Sequence, residues 1–225
     1  MNVRIITYTA QPERTVAHAA WVCTHGEGPT DSDLHPDRAA PLIRRVLASG
    51  HSSVLEHVSF TFAIDGISRA CSHQLVRHRA GCSYSQQSQR YVPLSDGQKN
   101  YYVTPGSLAD NPLLKQALQE DYAAAMEYLT GVYQRLIDAG IPAEDARLVL
   151  PNAASTRLVV TMNARALHHF FSLRCCTRAQ WEIRDLANEM LRQCRRVAPV
   201  LFETAGPGCA RGACPEGPKS CGGML

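Results

Sequence analysis

The sequence is poor in lysine. Only Lys99, Lys115 and Lys219 are lysines among 225 residues, although Lys and Arg together number 23, which leaves 20 arginines. A planar guanidinium grips phosphate and carboxylate bidentately, whereas an ammonium is a point charge. GC-rich coding also favours Arg, so the count alone points to no ligand. Aromatic residues make up only 7% and the net charge is +3. Those values speak against a single-strand nucleic-acid reader, which needs stacking platforms, and against a polyanion coat. No apolar run reaches the ~18 residues of a membrane span. The opening MNVRIITYTAQPER lacks the apolar core of a signal peptide. No GxGxxG is present, so a Rossmann half is not expected. No Cys-x2-Cys pair occurs among the nine cysteines, and reduced thiols in a cytoplasmic protein are expected.

What is present reads as a globular chain, 45% apolar and 19% charged. VRIITYT (3–9) reads as a strand, 13–23 as a helix, and 36–49 as a helix opened by Pro36. VSFTFAI (58–64) reads as a strand, 67–79 as an amphipathic helix, and 112–139 as a long helix capped by Asn111. A short helix is expected at 143–149, a strand at 156–163, and helices at 164–174 and 179–202. Strands and helices interleave without a βαβ rhythm, so the expected class is α+β, one domain over 1–203. Residues 204–225 are dense in Gly, Pro and Cys and read as a flexible tail. Cys209-x4-Cys214-x6-Cys221 lacks a clear fourth ligand, so no metal site is expected.

The placement of charge says more than its amount. Residues 66–95 and 146–181 contain no Asp or Glu. They hold Arg69, Arg77, Arg79, Arg90, Arg147, Arg157, Arg165, Arg174 and Arg178. Cations without local acids suit a ligand that supplies the negative charge, with phosphates the obvious candidates. Arg77-His78-Arg79 falls at the expected end of a helix, where the dipole favours cations. Ser83 to Gln89 then offer neutral hydrogen-bond formers, and Arg90 another phosphate grip. This order suits a nucleotide, a polyanion carrying a flat polar ring.

At these residues the sequence resembles the flavin-dependent thymidylate synthases, whose signature is Arg-His-Arg, seven variable residues, then Ser. Here Arg77-His78-Arg79 is followed by eight residues before Ser88, then Gln89-Arg90-Tyr91, with the extra residue within Ala80-Gly81-Cys82. GHSSVLEHVSFTF (50–62), ARLVLP (146–151), NARALHHFFSLR (163–174) and AQWEIR (179–184) resemble further family blocks in the same order.

The resemblance implies methylation of dUMP to dTMP, with methylenetetrahydrofolate as carbon donor, NADPH as reductant and FAD as hydride carrier. It implies a homotetramer with sites at subunit interfaces and a mostly antiparallel sheet flanked by long helices. FAD contacts are implied for His51, Ser53, Arg77, His78, Arg79, Gln86, Asn163, Arg165 and His169. Contacts to dUMP are implied for Gln74, Arg77, Gln86, Gln87, Ser88, Gln89, Arg90, Arg147 and Arg174. Arg174 would stabilise charge on the uracil edge, as an oxyanion hole does. Ser88 reads as a substrate hydrogen-bond group, since no base is placed to activate it. Cys82, Cys175 and Cys176 read as structural, and Glu56 beside His57 as a buried ion pair. One of His168 and His169 should be core, because successive helical side chains diverge by about 100°. The competing readings are an RNA-binding module built on the arginine-rich stretches and a zinc-stabilised interaction protein built on the tail.

Overall fold

A computed structural model of the chain describes residues 1–92, 94, 101–109 and 112–222. Four strands, β1 (Asn2–Tyr8), β2 (Ser59–Ser68), β3 (Cys82–Gln86) and β4 (Ser155–Asn163), form one sheet in the order β1-β2-β4-β3. The α-helices are α1 (Pro12–Val22), α2 (Pro36–Ala48), α3 (Arg69–Leu75), α4 (Pro112–Asp138), α5 (Ala143–Ala146), α6 (Ala164–Arg174) and α7 (Trp181–Val197). The class is α+β with an antiparallel sheet, as expected. No helix among the described residues is long and apolar enough to cross a membrane. Two compact units divide the chain, one of residues 1–2, 64–75 and 85–158, the other of 3–63, 76–84 and 159–225.

In the α6–α7 unit, α2 buries Ala39, Leu42, Ile43 and Val46 at helical spacing and packs on α1. Helix α7 buries Ile183, Leu186, Ala187, Met190 and Cys194 in one stripe and packs on α6. Gln180 caps α7, accepting from the Glu182 and Ile183 N–H groups at 3.1 and 3.2 Å. Helix α7 stops at Val197, not at 202. Pro199 disfavours helical geometry at the residue before it, and Ala198 stands at φ −142°, ψ 71°. The released turn drops Phe202 into the core, edge-on to Phe60 at 5.3 Å and to Phe171 at 6.1 Å. Arg195 then holds the turn, donating to the Phe202 and Ala205 carbonyls at 3.2 and 2.7 Å.

In the α4 unit, Met126 and Tyr133, seven positions apart, are buried. The expected α4 stripe is narrower than the sequence suggests: Ala117 and Ala125 are exposed, and Leu118 is 46% exposed. Asn111, the expected cap, lies outside the described residues. The expected helix over 67–79 is only Arg69–Leu75, because β2 runs on to Ser68. There the Ser68 hydroxyl accepts the Cys71 N–H at 3.0 Å and starts α3. The expected helix over 143–149 divides into α5 and a 3-10 turn at Arg147–Val149. Strand β3 and the 3-10 turn Ser52–His57 had no counterpart in the sequence reading.

Phe202 is fully buried against three rings, the third being the His168 imidazole stacked at 5.3 Å. Phe202→Ala is expected to cost about 3–5 kcal/mol of stability. Chemical denaturation of the two proteins checks this.

Candidate functional site

A cavity of about 760 Å³ in the α6–α7 unit is lined by Arg77, His78, Arg79, Asn163, Arg165, His169 and Arg174. Two segments build most of it, and Glu56 of the 3-10 turn Ser52–His57 adds a carboxylate to its wall. The first is the loop after α3. Arg77-His78-Arg79 lies beyond the helix rather than at its end, a correction to the sequence reading that follows from the shorter α3. The Tyr84 hydroxyl donates to the His78 carbonyl at 2.7 Å, and the Cys82 N–H to the Arg79 carbonyl at 3.2 Å. The resulting turn needs Gly81, whose φ is +71°. A Cβ there would stand 2.5 Å from the Asn163 amide nitrogen. The Gly81 carbonyl ties this tight turn to the Asn163 N–H at 2.9 Å.

The second segment is α6. Asn163 caps it, its side-chain oxygen accepting the Ala166 N–H at 2.8 Å. Ala166, His169 and Leu173 share one helix face and line the cavity. The positive end of α6 therefore meets Arg77 and Arg79, a setting that favours a bound anion.

Arg174 Nε donates to His78 Nε2 at 3.1 Å. That bond requires a bare Nε2, hence a neutral imidazole with its proton on Nδ1. His78 is 9% exposed, with Phe170 edge-on at 5.0 Å and His169 at 6.0 Å. Burial, then the neighbouring Arg174 and His169, push its pKa down to about 4. Burial raises the Cys82 thiol, and burial followed by Cys82 raises the Tyr84 phenol. Burial also pushes Cys175 up to about 12. None of these groups is a ready thiolate or phenolate at neutral pH.

Other expected residues fall elsewhere. His51 and Ser53 are exposed and do not line this cavity. Gly50 and Ser52 line a second cavity of about 790 Å³, whose wall includes Arg165 and His169. His168 is the packed member of its pair, bonded to the Leu201 carbonyl at 2.8 Å. Burial lowers its pKa, and Arg211 lowers it further. Glu56 is a correction: it is exposed and pairs with Arg165, not with His57.

The α4 unit holds most of the residues expected at the substrate. Gln86 donates to the Ser72 and Thr156 hydroxyls at 2.9 and 3.1 Å. Ser88 Oγ accepts the Arg90 N–H at 3.2 Å. Arg90 Nε pairs with the Glu144 carboxylate at 2.8 Å, and Arg147 Nε donates to the Glu144 carbonyl at 3.0 Å. Arg69 stands close enough to Arg147 for that charge, after burial, to lower its pKa. Gln74, Gln87 and Gln89 are half-buried. Sequence reasoning missed Ser72, Thr156 and Glu144, which no motif carries; Tyr84 was among the expected hydrogen-bond formers, but its bond to the His78 carbonyl was not foreseen.

The arginines of the acid-free stretches divide. Arg90, Arg157, Arg165 and Arg178 find carboxylates from distant sequence, namely Glu144, Asp65, Glu56 and Glu216. That corrects the expectation of cations without partners for these four. Among the described residues, Arg77, Arg79 and Arg174 make no such pair.

A sequence model of the family described as "Thymidylate synthase complementing protein" matches residues 4–200. The chain belongs to this family. Relatives named flavin-dependent thymidylate synthase include a Geobacter sulfurreducens protein, 51% identical over 99% of this chain and 94% of its own length. Those of Clostridium tetani and Pyrococcus furiosus are 45% and 40% identical, over 99% and 96% of this chain and 93% and 90% of theirs. The family assignment thus agrees with the resemblance carried by Arg77 to Tyr91.

The neutrality of His78 has a consequence for stability. Its folded pKa of about 4 lies below the ordinary 6.5. Its contribution is full above 6.5 and is lost as pH falls from 6.5 toward 4, where the unfolded chain takes up a proton that folded His78 refuses. His78→Gln, which keeps an acceptor but cannot titrate, is expected to remove about 3 kcal/mol of this pH dependence. Denaturation of both proteins at pH values across that window measures it.

Proposed function

We propose that the chain makes dTMP by reductive methylation of dUMP, with methylenetetrahydrofolate as carbon donor, NADPH as reductant and FAD as cofactor. The observation that carries this reading is the cavity at the N-terminus of α6, where Arg77 and Arg79 stand without carboxylate partners among the described residues. A flavin dinucleotide fits such a donor set. Its pyrophosphate supplies the charge these guanidiniums lack, and the cavity of about 760 Å³ suits a cofactor of that size. Arg77, Arg79 and the α6 N-terminus would hold the pyrophosphate, and Arg165, paired with Glu56, would join them where the phosphate displaces that exposed carboxylate. Asn163, whose side-chain oxygen is engaged by the cap, would offer its amide N–H groups. His78 and His169 complete this set, and Gln86, His51 and Ser53 are carried over from the family. When bound, FAD supplies the hydride-transfer chemistry that no side chain here can provide.

The chain's own residues bind, orient and stabilise charge. Arg90 and Arg147 would take the 5′-phosphate of dUMP. The Arg90–Glu144 pair is exposed, and such pairs contribute little, so a phosphate can displace the carboxylate. Gln74, Gln86, Gln87, Ser88 and Gln89 would contact the nucleotide. Ser88 accepts a backbone N–H and keeps its own hydrogen to donate, which supports a binding role over a nucleophilic one. Arg174 would face the N3/O2/O4 edge of the uracil. His78 engages its Nε and leaves the two η nitrogens for negative charge that develops on the ring. We further propose a catalytic domain over 1–203, a tail over 204–225, and a cytoplasmic homotetramer with sites at subunit interfaces.

The purified protein is expected to be yellow, with flavin absorbance at about 450 nm. It should make dTMP only when dUMP, methylenetetrahydrofolate and NADPH are all supplied. Arg174→Ala should lower dTMP formation by about 10²–10³-fold with flavin still bound. Arg79→Ala should weaken flavin retention. A flavin-loaded preparation that makes no dTMP would refute the reading.

A further inference from the structure

The residues after Phe202 are not a loose end. Ala205 is 1% exposed, and Gly206 and Pro207 are buried. Arg178 Nη1 donates to the Lys219 carbonyl at 2.5 Å and pairs with Glu216 at 3.5 Å. The tail also closes on itself, since a Cβ at Gly208 would stand 2.8 Å from the Pro215 ring. Among the described residues no group of three His, Cys, Asp or Glu side chains could hold a metal ion. What the fold of the tail achieves is the placement of the 3-10 turn Gly208–Arg211. Ala210 and Arg211 of that turn line the second cavity, of about 790 Å³.

This cavity has a mixed wall. Arg44, Ser52, Arg165, His169, Ser172 and Arg211 supply donors, and Leu47, Leu55 and Val200 supply apolar surface. Two of its cations are already neutralised, Arg44 by Glu203 at 2.7 Å and Arg165 by Glu56. Arg211 has no carboxylate partner among the described residues, and His168 lines the same cavity. Arg165 and His169 stand in the walls of both this cavity and the proposed flavin cavity. The two cavities therefore adjoin at these side chains.

We propose that the tail completes a co-substrate site, in which Arg211 binds an oxyanion at the end of a molecule whose other end reacts with the flavin. This inference rests on the proposed thymidylate synthase activity. Both co-substrates of that reaction carry such a group, a 2′-phosphate on NADPH or a glutamyl carboxylate on the folate. A guanidinium reads either through charge-assisted hydrogen bonds. Arg211 is exposed and, among the described residues, its side chain makes no hydrogen bond or ion pair, so its truncation is expected to leave the fold intact.

Arg211→Ala in the full-length holoenzyme tests this. The expected result is a KM increase of about tenfold or more for one co-substrate, with kcat and bound flavin within about twofold of wild type. An increase for NADPH but not NADH assigns the phosphate, and an increase for methylenetetrahydrofolate assigns the carboxylate. Arg211→Lys, which keeps the charge without the fork, should recover part of the loss. KM values for both co-substrates within about twofold of wild type would overturn the proposal, as would loss of flavin from the Ala variant. Calorimetric titration with adenosine 2′,5′-bisphosphate and with 5-formyltetrahydrofolate separates this from the activity itself. If the wild type makes no dTMP, the functional reading fails. Tighter binding of either probe by wild type than by Arg211→Ala would still support the site, and equal or absent binding would overturn it.

Discussion

The hydrogen bond from Arg174 Nε to neutral His78 sets the terms for the α6–α7 cavity. It joins the last residue of α6 to a loop that carries no regular structure of its own. An isolated loop of two arginines would spread its charges into solvent. Here Tyr84 holds the His78 carbonyl, Phe170 walls the ring, and Gly81 turns the chain back beneath Asn163. The loop is thereby fixed at both ends of α6, at its capping residue and at its C-terminal arginine. A protonated His78 would present an N–H to Arg174 in place of a lone pair, and two cations would meet. Burial and the adjacent guanidinium prevent that.

The charge pattern follows a related logic. Arginines that pair with distant carboxylates are largely satisfied by the fold itself, as Arg157 is with Asp65 and Arg178 with Glu216. Of those left without carboxylates, Arg77 and Arg79 line the cavity at the α6 N-terminus and Arg174 lines it from the last residue of α6, whereas Arg69 and Arg147 stand in the α4 unit. The small net charge of +3 then describes a protein whose positive charge is spent locally.

The sequence was most informative where one local rule decided the outcome. Helix α6 runs over the expected residues, because Asn163 caps it and its apolar period is unambiguous. Helix α7 was over-extended, since Leu201 continues the stripe while Pro199 breaks the backbone. Strand β3 escaped notice because CSYSQ has no β-branched residue and its Cys/Tyr–Ser alternation spans only four residues. Arg77 and Arg79 were legible as ligand-seeking cations from the absence of nearby acids. The partner of Arg165 was not, because Glu56 lies 109 residues away and no periodicity links the two. The Arg174–His78 bond spans 96 residues and was equally hidden. Each residue belonged to a recognisable block, but their contact is a property of the fold.

The most direct measurement is the ¹⁵N NMR spectrum of the His78 imidazole near neutral pH, assigned by comparison with His78→Gln. A hydrogen-bonded neutral ring with the proton on Nδ1 and a bare Nε2 is the expected result. An imidazolium, or a proton on Nε2, would contradict the account, because Arg174 would then have no acceptor to hold it.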